Sequence, residues 1–281
     1  MSIRRREGKN TRGNRSSATI ALAIFLAAVT LAALFGIRRS TPWPPSGRKP
    51  NILLVTLDTT RADHVGAYGY RPAHTPRLDR LAAEGVLFER VVSAAPITLP
   101  AHASIFTALY PFAHGVRNNG TFYLDAKFAT LATVLHDAGY RTAAFISAFV
   151  LDRRYGLARG FDTYNDHLES GEGHIVNGAR ERRGDRTALA AEAWIAQAAS
   201  GSVSAPFFVW LHLYDAHDPY DPPPPFHDAF ADRPYDGEIA FDDDVVGSVL
   251  DRLDQLGLRS TLVAVVGDHG ESLGEHGEMT H

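Results

Sequence analysis

The sequence predicts a doubly wound α/β domain, a mostly parallel sheet flanked by helices, on three observations. Several strand-length runs are nearly uninterrupted in apolar residues, as strands buried on both faces are. Segments of helical spacing alternate with these runs. Most of the runs finish in Asp, His or Thr, at the sheet edge where open α/β folds place ligands.

Taken in order, Asn51–Leu57 (NILLVTL) reads as the first strand and delivers Asp58. Thr75-Pro76 supplies a cap and a first-turn proline to a helix that stops at Gly85, and Val86–Val92 then reads as a second strand leading to Thr98. A helix is expected from about Pro100 to Leu109, a polar loop over His114–Gly120, and another helix from Ala129 to Ala138. Arg141–Ser147 reads as a buried strand, 165–184 as a Gly-rich surface loop, and Asp185 as the cap of an Ala-rich helix running to Ala199. Phe207–Tyr214 is again a strand and delivers Asp215 and His217. The prolines Pro222–Pro225 forbid regular pairing and make a rigid loop. A helix over Ile239–Leu256 and a strand over Thr261–Val266 close the pattern and deliver Asp268 and His269.

With 281 residues, of which 45% are hydrophobic and 21% charged, the chain can bury the core of one large domain. A net charge of -4 argues against a nucleic-acid partner. Cysteine is absent, which excludes disulfides, thiolate metal sites and a Cys nucleophile.

The N-terminus divides into a basic tail (1–15), an uncharged run (16–37) and a Pro-rich linker (38–49), ahead of the main domain at 50–281. The uncharged run is long enough to span a bilayer, which takes roughly 20 residues. Its heavier positive flank is N-terminal, so a single-pass anchor would leave the tail in the cytoplasm and the domain outside. A cleaved signal peptide is the rival reading, although typical signal cores are shorter, about 7 to 15 residues.

In a parallel sheet the ends of Asp58, Thr98, Asp215 with His217, and Asp268 with His269 converge on one edge. Carboxylates with an imidazole suit a divalent ion such as Zn or Mn, which would lower the pKa of a Thr98 hydroxyl it touched. Asn118 and Asn119 in the polar loop are candidates to hydrogen-bond a substrate oxyanion, and Asp215 and His281 are further candidate substrate contacts. Two readings of Thr98 stand side by side here, a plain helix N-cap and a nucleophile at a helix start.

Pro50–Asp58, Thr98-Leu99-Pro100-Ala101-His102 and Gly267-Asp268-His269-Gly270-Glu271 stand in the order and spacing of the sulfatase family, a branch of the alkaline phosphatase superfamily. Thr75–Ala82, Gly160-Phe161-Asp162 and Tyr235–Ile239 extend the resemblance. It implies an alkaline-phosphatase-like fold that continues beyond His281, so the chain is expected to be truncated. A truncated, non-catalytic binding module is therefore the rival to an enzyme.

The resemblance further implies Thr98 as nucleophile, and Asp58, Asp268, His269 and the Thr98 oxygen as ligands of a Zn, Mn or Ca ion. By the same resemblance His217 is a substrate or leaving-group contact, and His102 stands where many sulfatases carry an arginine. No formylglycine is expected, because that aldehyde forms from Cys or Ser and Thr cannot yield it. Thr with Asp, Asp and His resembles instead the phosphodiesterase and the membrane-anchored phosphoethanolamine or phosphoglycerol transferase branches. The expected substrate is a sulfated or phosphorylated small molecule, glycan or lipid.

Overall fold

A computed structural model describes residues 49–168, 175–176, 179–201 and 205–278. The expected tail, anchor and most of the linker, and His281, lie outside the described residues. Among the described residues no helix is long and apolar enough to cross a membrane.

The elements run β1 (Asn51–Leu57), α1 (Pro76–Glu84), α2 (Thr98–Thr107), α3 (Pro111–His114), α4 (Leu131–Asp137), β2 (Arg141–Phe145) and β3 (Thr163–Asn165). They continue β4 (Ile175–Val176), β5 (Ala179–Arg180), α5 (Gly184–Ser200), β6 (Phe207–Leu213), α6 (Phe226–Ala229), α7 (Pro234–Gln255) and β7 (Thr261–Gly267). Five strands form one sheet in the order β3-β2-β6-β1-β7, and every pairing in it is parallel.

Because successive side chains alternate between faces, each central strand feeds two cores. Leu53, Val55, Val209 and Leu211 pack on one face against Ala191 and Ile195 of α5 and Ile239, Val245 and Val249 of α7. Leu54, Phe208 and Trp210 pack on the other against Leu99 and Phe106 of α2 and Ala132 of α4. The continuous apolar runs of β1 and β6 thus follow from burial on both sides. Burying one such side chain is worth roughly 1.5–3 kcal/mol.

Several helix boundaries obey local rules. Pro76 opens α1 from the first turn, where its missing N–H costs nothing. Thr130 and Thr133 form a reciprocal capping box at the start of α4. Thr75 does not cap α1 as expected; its hydroxyl accepts from the Gly66 N–H instead.

Val86–Val92 is a correction, since it forms no strand. Val86, Phe88, Val91 and Val92 are largely exposed, and no described strand pairs with the segment, so its backbone has no ladder to join. The stretch over 165–184 is likewise no plain loop. β4 and β5 form a short antiparallel pair, and the Arg182 guanidinium donates to Asn165 Oδ1 and the Ile146 carbonyl at 2.8 and 2.9 Å.

Candidate active site

The helix that carries Thr98 explains why its hydroxyl is available for chemistry. The N-cap position of α2 is Ile97, which has no side-chain acceptor. Asn119 supplies one from a loop, its Oδ1 accepting from the Leu99 N–H at 2.9 Å. Thr98 therefore lies inside the first turn with its side chain free of capping duty, which removes the plain N-cap reading. Pro100 is tolerated because it also lies in that first turn.

Thr98 is 1% exposed, and its Oγ1 lies 3.4 Å from His269 Nε2. His269 follows Asp268 at the end of β7, and Asp58 ends the neighbouring strand β1 in register with it. The His269 Nδ1–H donates to the Gly270 carbonyl at 3.0 Å, which turns the Nε2 lone pair inward. That nitrogen is 3.6 Å from Asp58 Oδ1 and 3.4 Å from Asp268 Oδ2. Those two carboxylate oxygens are buried and have no hydrogen-bond partner.

Ligand atoms of Asp58, Asp268 and His269 all lie within 4.8 Å of one another. Burial opposes ionisation of Asp58, but the His212 hydrogen bond and the nearby imidazoles outweigh it and hold the carboxyl well below its usual range. Asp268 moves the other way, pushed well up by burial and by the charge of Asp58. Two buried carboxylates with orphaned oxygens facing one imidazole lone pair are the donor set of a hard or borderline divalent cation. The residues fit the group the sequence called for.

The loop after β1 is held tightly under this set. Thr59 has φ 50°, an uncommon conformation for a β-branched residue, and its N–H donates to Asp268 Oδ1 at 3.2 Å. Its hydroxyl donates to the Ala216 carbonyl at 2.6 Å and faces away from the carboxylates. A Cβ on Gly267 would meet the Thr60 carbonyl at 2.6 Å, so only glycine permits this approach of β7 to the loop.

The other predicted residues separate. His102 is wholly buried, with Nδ1 2.8 Å from the Thr98 carbonyl and Nε2 3.0 Å from Thr56 Oγ1. Burial and then the nearby His212 push its pKa down to about 3, so the ring is neutral. Both its ring nitrogens are thus occupied by hydrogen bonds to the protein.

His217 is half-buried, stacks on Tyr214 with ring centroids 4.4 Å apart, and donates from Nδ1 to the Asp218 carbonyl at 2.7 Å. It lines a cleft of about 450 Å³, open mouth included, with Glu181, Arg183, Tyr214, Asp221 and Glu238. Burial, with Asp58 and Asp215 nearby, pushes Glu181 up to about 8.

Asp215 also lines that cleft, but both its oxygens accept from the Gly184 N–H at 3.1 and 2.9 Å. It holds the start of α5 and is not oriented as a substrate contact. Asp185, expected as that cap, lies one residue inside the helix. Asn119 is the cap of α2, and the exposed Asn118 accepts from the Asn119 N–H at 2.8 Å. Both asparagines order the loop rather than converge on the carboxylates.

Sequence reasoning missed His212, whose Nε2–H donates to Asp58 Oδ2 at 3.3 Å. It lies within an apolar run and shares a face with Trp210 and Tyr214, in register with Thr56. A period-two reading of β6 marks that face.

Comparisons with known proteins agree with this geometry. The family profile described as Sulfatase matches residues 50–281. Steryl-sulfatase of Mus musculus is 33% identical over 132 residues, 43% of this chain and 21% of that protein. An arylsulfatase of Clostridium perfringens is 24% identical across 81% of this chain and 64% of its own length. The crystal structure of a phosphonate monoester hydrolase of Agrobacterium radiobacter superposes with a TM-score of 0.66 at 22% identity, covering 81% of this chain and 64% of that one. The chain thus spans under two thirds of the length of each of these relatives. The match across the whole described domain, with the Asp58, Asp268 and His269 set at the strand ends, places this chain in the sulfatase family.

Proposed function

We propose that this chain carries a divalent-cation-dependent site that cleaves sulfate or phosphate esters, with Thr98 as nucleophile. The observation that carries the reading is the Thr98 hydroxyl, buried, relieved of capping by Asn119 and 3.4 Å from His269 Nε2. Asp58, Asp268 and His269 would hold the cation, which when bound lowers the pKa of the hydroxyl and offsets charge on the ester oxygens.

Thr98 Oγ1 gives up its proton to solvent and attacks sulfur or phosphorus in line, the bond to the leaving oxygen breaks and that oxygen takes a proton from water; the sulfuryl or phosphoryl group on Thr98 then passes to water or an acceptor alcohol, whose proton returns to Thr98. The first turn of α2 presents Thr98 beside His269. His217, at the cleft, contacts the substrate or its leaving group. Phosphorus is favoured over sulfur because a threonine cannot become formylglycine. This keeps a phosphodiesterase, or a transferase of the phosphoethanolamine or phosphoglycerol type, as the second reading.

The substrate would be a sulfated or phosphorylated small molecule, glycan or lipid; the similarity to steryl-sulfatase supports the sulfated class. Residues 16–37 would anchor the protein as a single pass, with the domain on the extracytoplasmic side. The test uses full-length protein with Mn or Zn on nitrophenyl phosphate, phosphodiester and sulfate esters. One ester class turns over, and Thr98→Ala lowers kcat at least about 10³-fold. Wild-type-like activity of that variant would remove Thr98 from the reaction.

A further inference from the structure

Behind the site, three polar side chains form a chain of hydrogen bonds whose direction can be read without ambiguity. The Trp210 Nε1–H is a donor only, and it lies 3.0 Å from Thr56 Oγ1. The Thr98 carbonyl is an acceptor only, so the His102 nitrogen 2.8 Å from it, Nδ1, carries the ring proton. His102 Nε2 then accepts, and the Thr56 hydroxyl donates to it at 3.0 Å. Nδ1 itself lies 3.4 Å from Asp268 Oδ2, with no hydrogen bond between them. Trp210, Thr56 and His102 are each 0% exposed.

This placement is costly unless it serves position. The surrounding layer, with Leu99, Phe106 and Phe208, is apolar and could be completed by apolar side chains. A buried polar network costs free energy unless fully satisfied, and once satisfied it fixes one arrangement of its members. Here the arrangement spans three elements: β1 gives Thr56, β6 gives Trp210 and α2 gives His102.

We propose that His102 is a positioning residue: its Nδ1–H ties the carbonyl of Thr98 and its Nε2 takes the Thr56 hydroxyl, so one imidazole sets the nucleophile's helix against β1, the strand that ends in Asp58. Thr56 and Trp210 lock the tautomer that makes this possible. The kinetic half of the proposal rests on the assignment of Thr98 as nucleophile; the half that concerns the β1 strand end does not.

The test compares His102→Asn, His102→Gln and Thr56→Val with wild type and Thr98→Ala in the full-length protein. Read-outs are kcat and KM on the preferred nitrophenyl ester, Mn²⁺ affinity by titration calorimetry, and melting temperature. Asn keeps a donor near the Nδ1 position and Gln does not. His102→Gln is expected to lower kcat about 10- to 100-fold with KM nearly unchanged and to weaken Mn²⁺ binding about tenfold, because the strand that ends in Asp58 loses its tie to α2. His102→Asn stays within about threefold of wild type in both, and Thr56→Val falls between them.

Equal loss in the Asn and Gln variants, or loss in neither, at wild-type melting temperature overturns the proposal. Where His102→Gln does not fold, Thr56→Val decides, and unchanged kcat and Mn²⁺ affinity in that variant overturn it. Activity surviving Thr98→Ala would sink the nucleophile reading instead, and the Mn²⁺ series would still decide the tie between His102 and the end of β1.

Discussion

The side chain of Asn119 accepts from the backbone N–H of Leu99 at 2.9 Å, across 20 residues of sequence. A loop residue thereby does what the N-cap residue Ile97 cannot, and the Thr98 hydroxyl stays beside His269. Asn119→Ala should cost about 1 kcal/mol of stability, the usual worth of a cap. Thermal unfolding measures that loss, and Asn119→Asp, which retains the acceptor, should restore it. An Ala variant as stable as wild type would mean that Asn119 does not hold the helix start.

Asp268 faces the charge of Asp58 in a closed site, so the cation and the fold are linked. Mn²⁺ at 100 times its Kd should stabilise the wild type by about 2.7 kcal/mol. Asp268→Asn can still accept from the Thr59 and His269 N–H groups through its amide oxygen, but it lacks the second carboxylate oxygen. Its melting temperature should be insensitive to Mn²⁺ and, without the ion, equal to or above that of the wild type. Calorimetric scans with and without EDTA check both outcomes.

Gly267→Ala tests the approach of β7 to the Thr59–Thr60 loop. Its Cβ would stand 2.6 Å from the Thr60 carbonyl, a backbone atom that must move. We expect a loss of about 1–3 kcal/mol, as for overpacking elsewhere. Because the same loop donates to Asp268, Mn²⁺ affinity should fall as well. Undiminished affinity would show that the loop does not orient the carboxylate.

Glu238 supplies a pH-dependent term. Burial, with Asp215 nearby, pushes its carboxyl from 4.5 to about 9 in the fold. Between those values the unfolded chain has released a proton that the folded chain still holds, so stability falls as pH rises through the window. The slope from one such group is at most about 1.4 kcal/mol per pH unit. Glu238→Gln keeps an acceptor for the Asp221 N–H, bonded at 2.7 Å in the wild type, and cannot ionise. Denaturant unfolding from pH 5 to about 9 should be flatter for the variant; parallel curves would refute the assignment.

The strands and the residues at their ends were legible because their signals are local. A run such as Phe207–Leu213 must be buried on both sides, and the chain after it must emerge at the sheet edge. Val86–Val92 misled for the same reason, since its apolar content carries no information about whether a neighbouring strand exists to pair with it. His212 was hidden in an apolar run, and Asp215 had the right chemistry at the right edge yet points to the first amide of α5.

By itself, then, the sequence determined the alternation of strands and helices, the family frame, and which strand-end residues meet, Asp58, Asp268 and His269 with Thr98 beside them. Only the tertiary structure decided which polar groups serve the site and which serve the fold. It gave the cap of α2 to Asn119, turned Asp215 to Gly184, and enclosed His102 between Thr98 and Thr56. The physical reason is that a hydrogen bond depends on where two groups meet in space, and these partners lie between 4 and 46 residues apart along the chain.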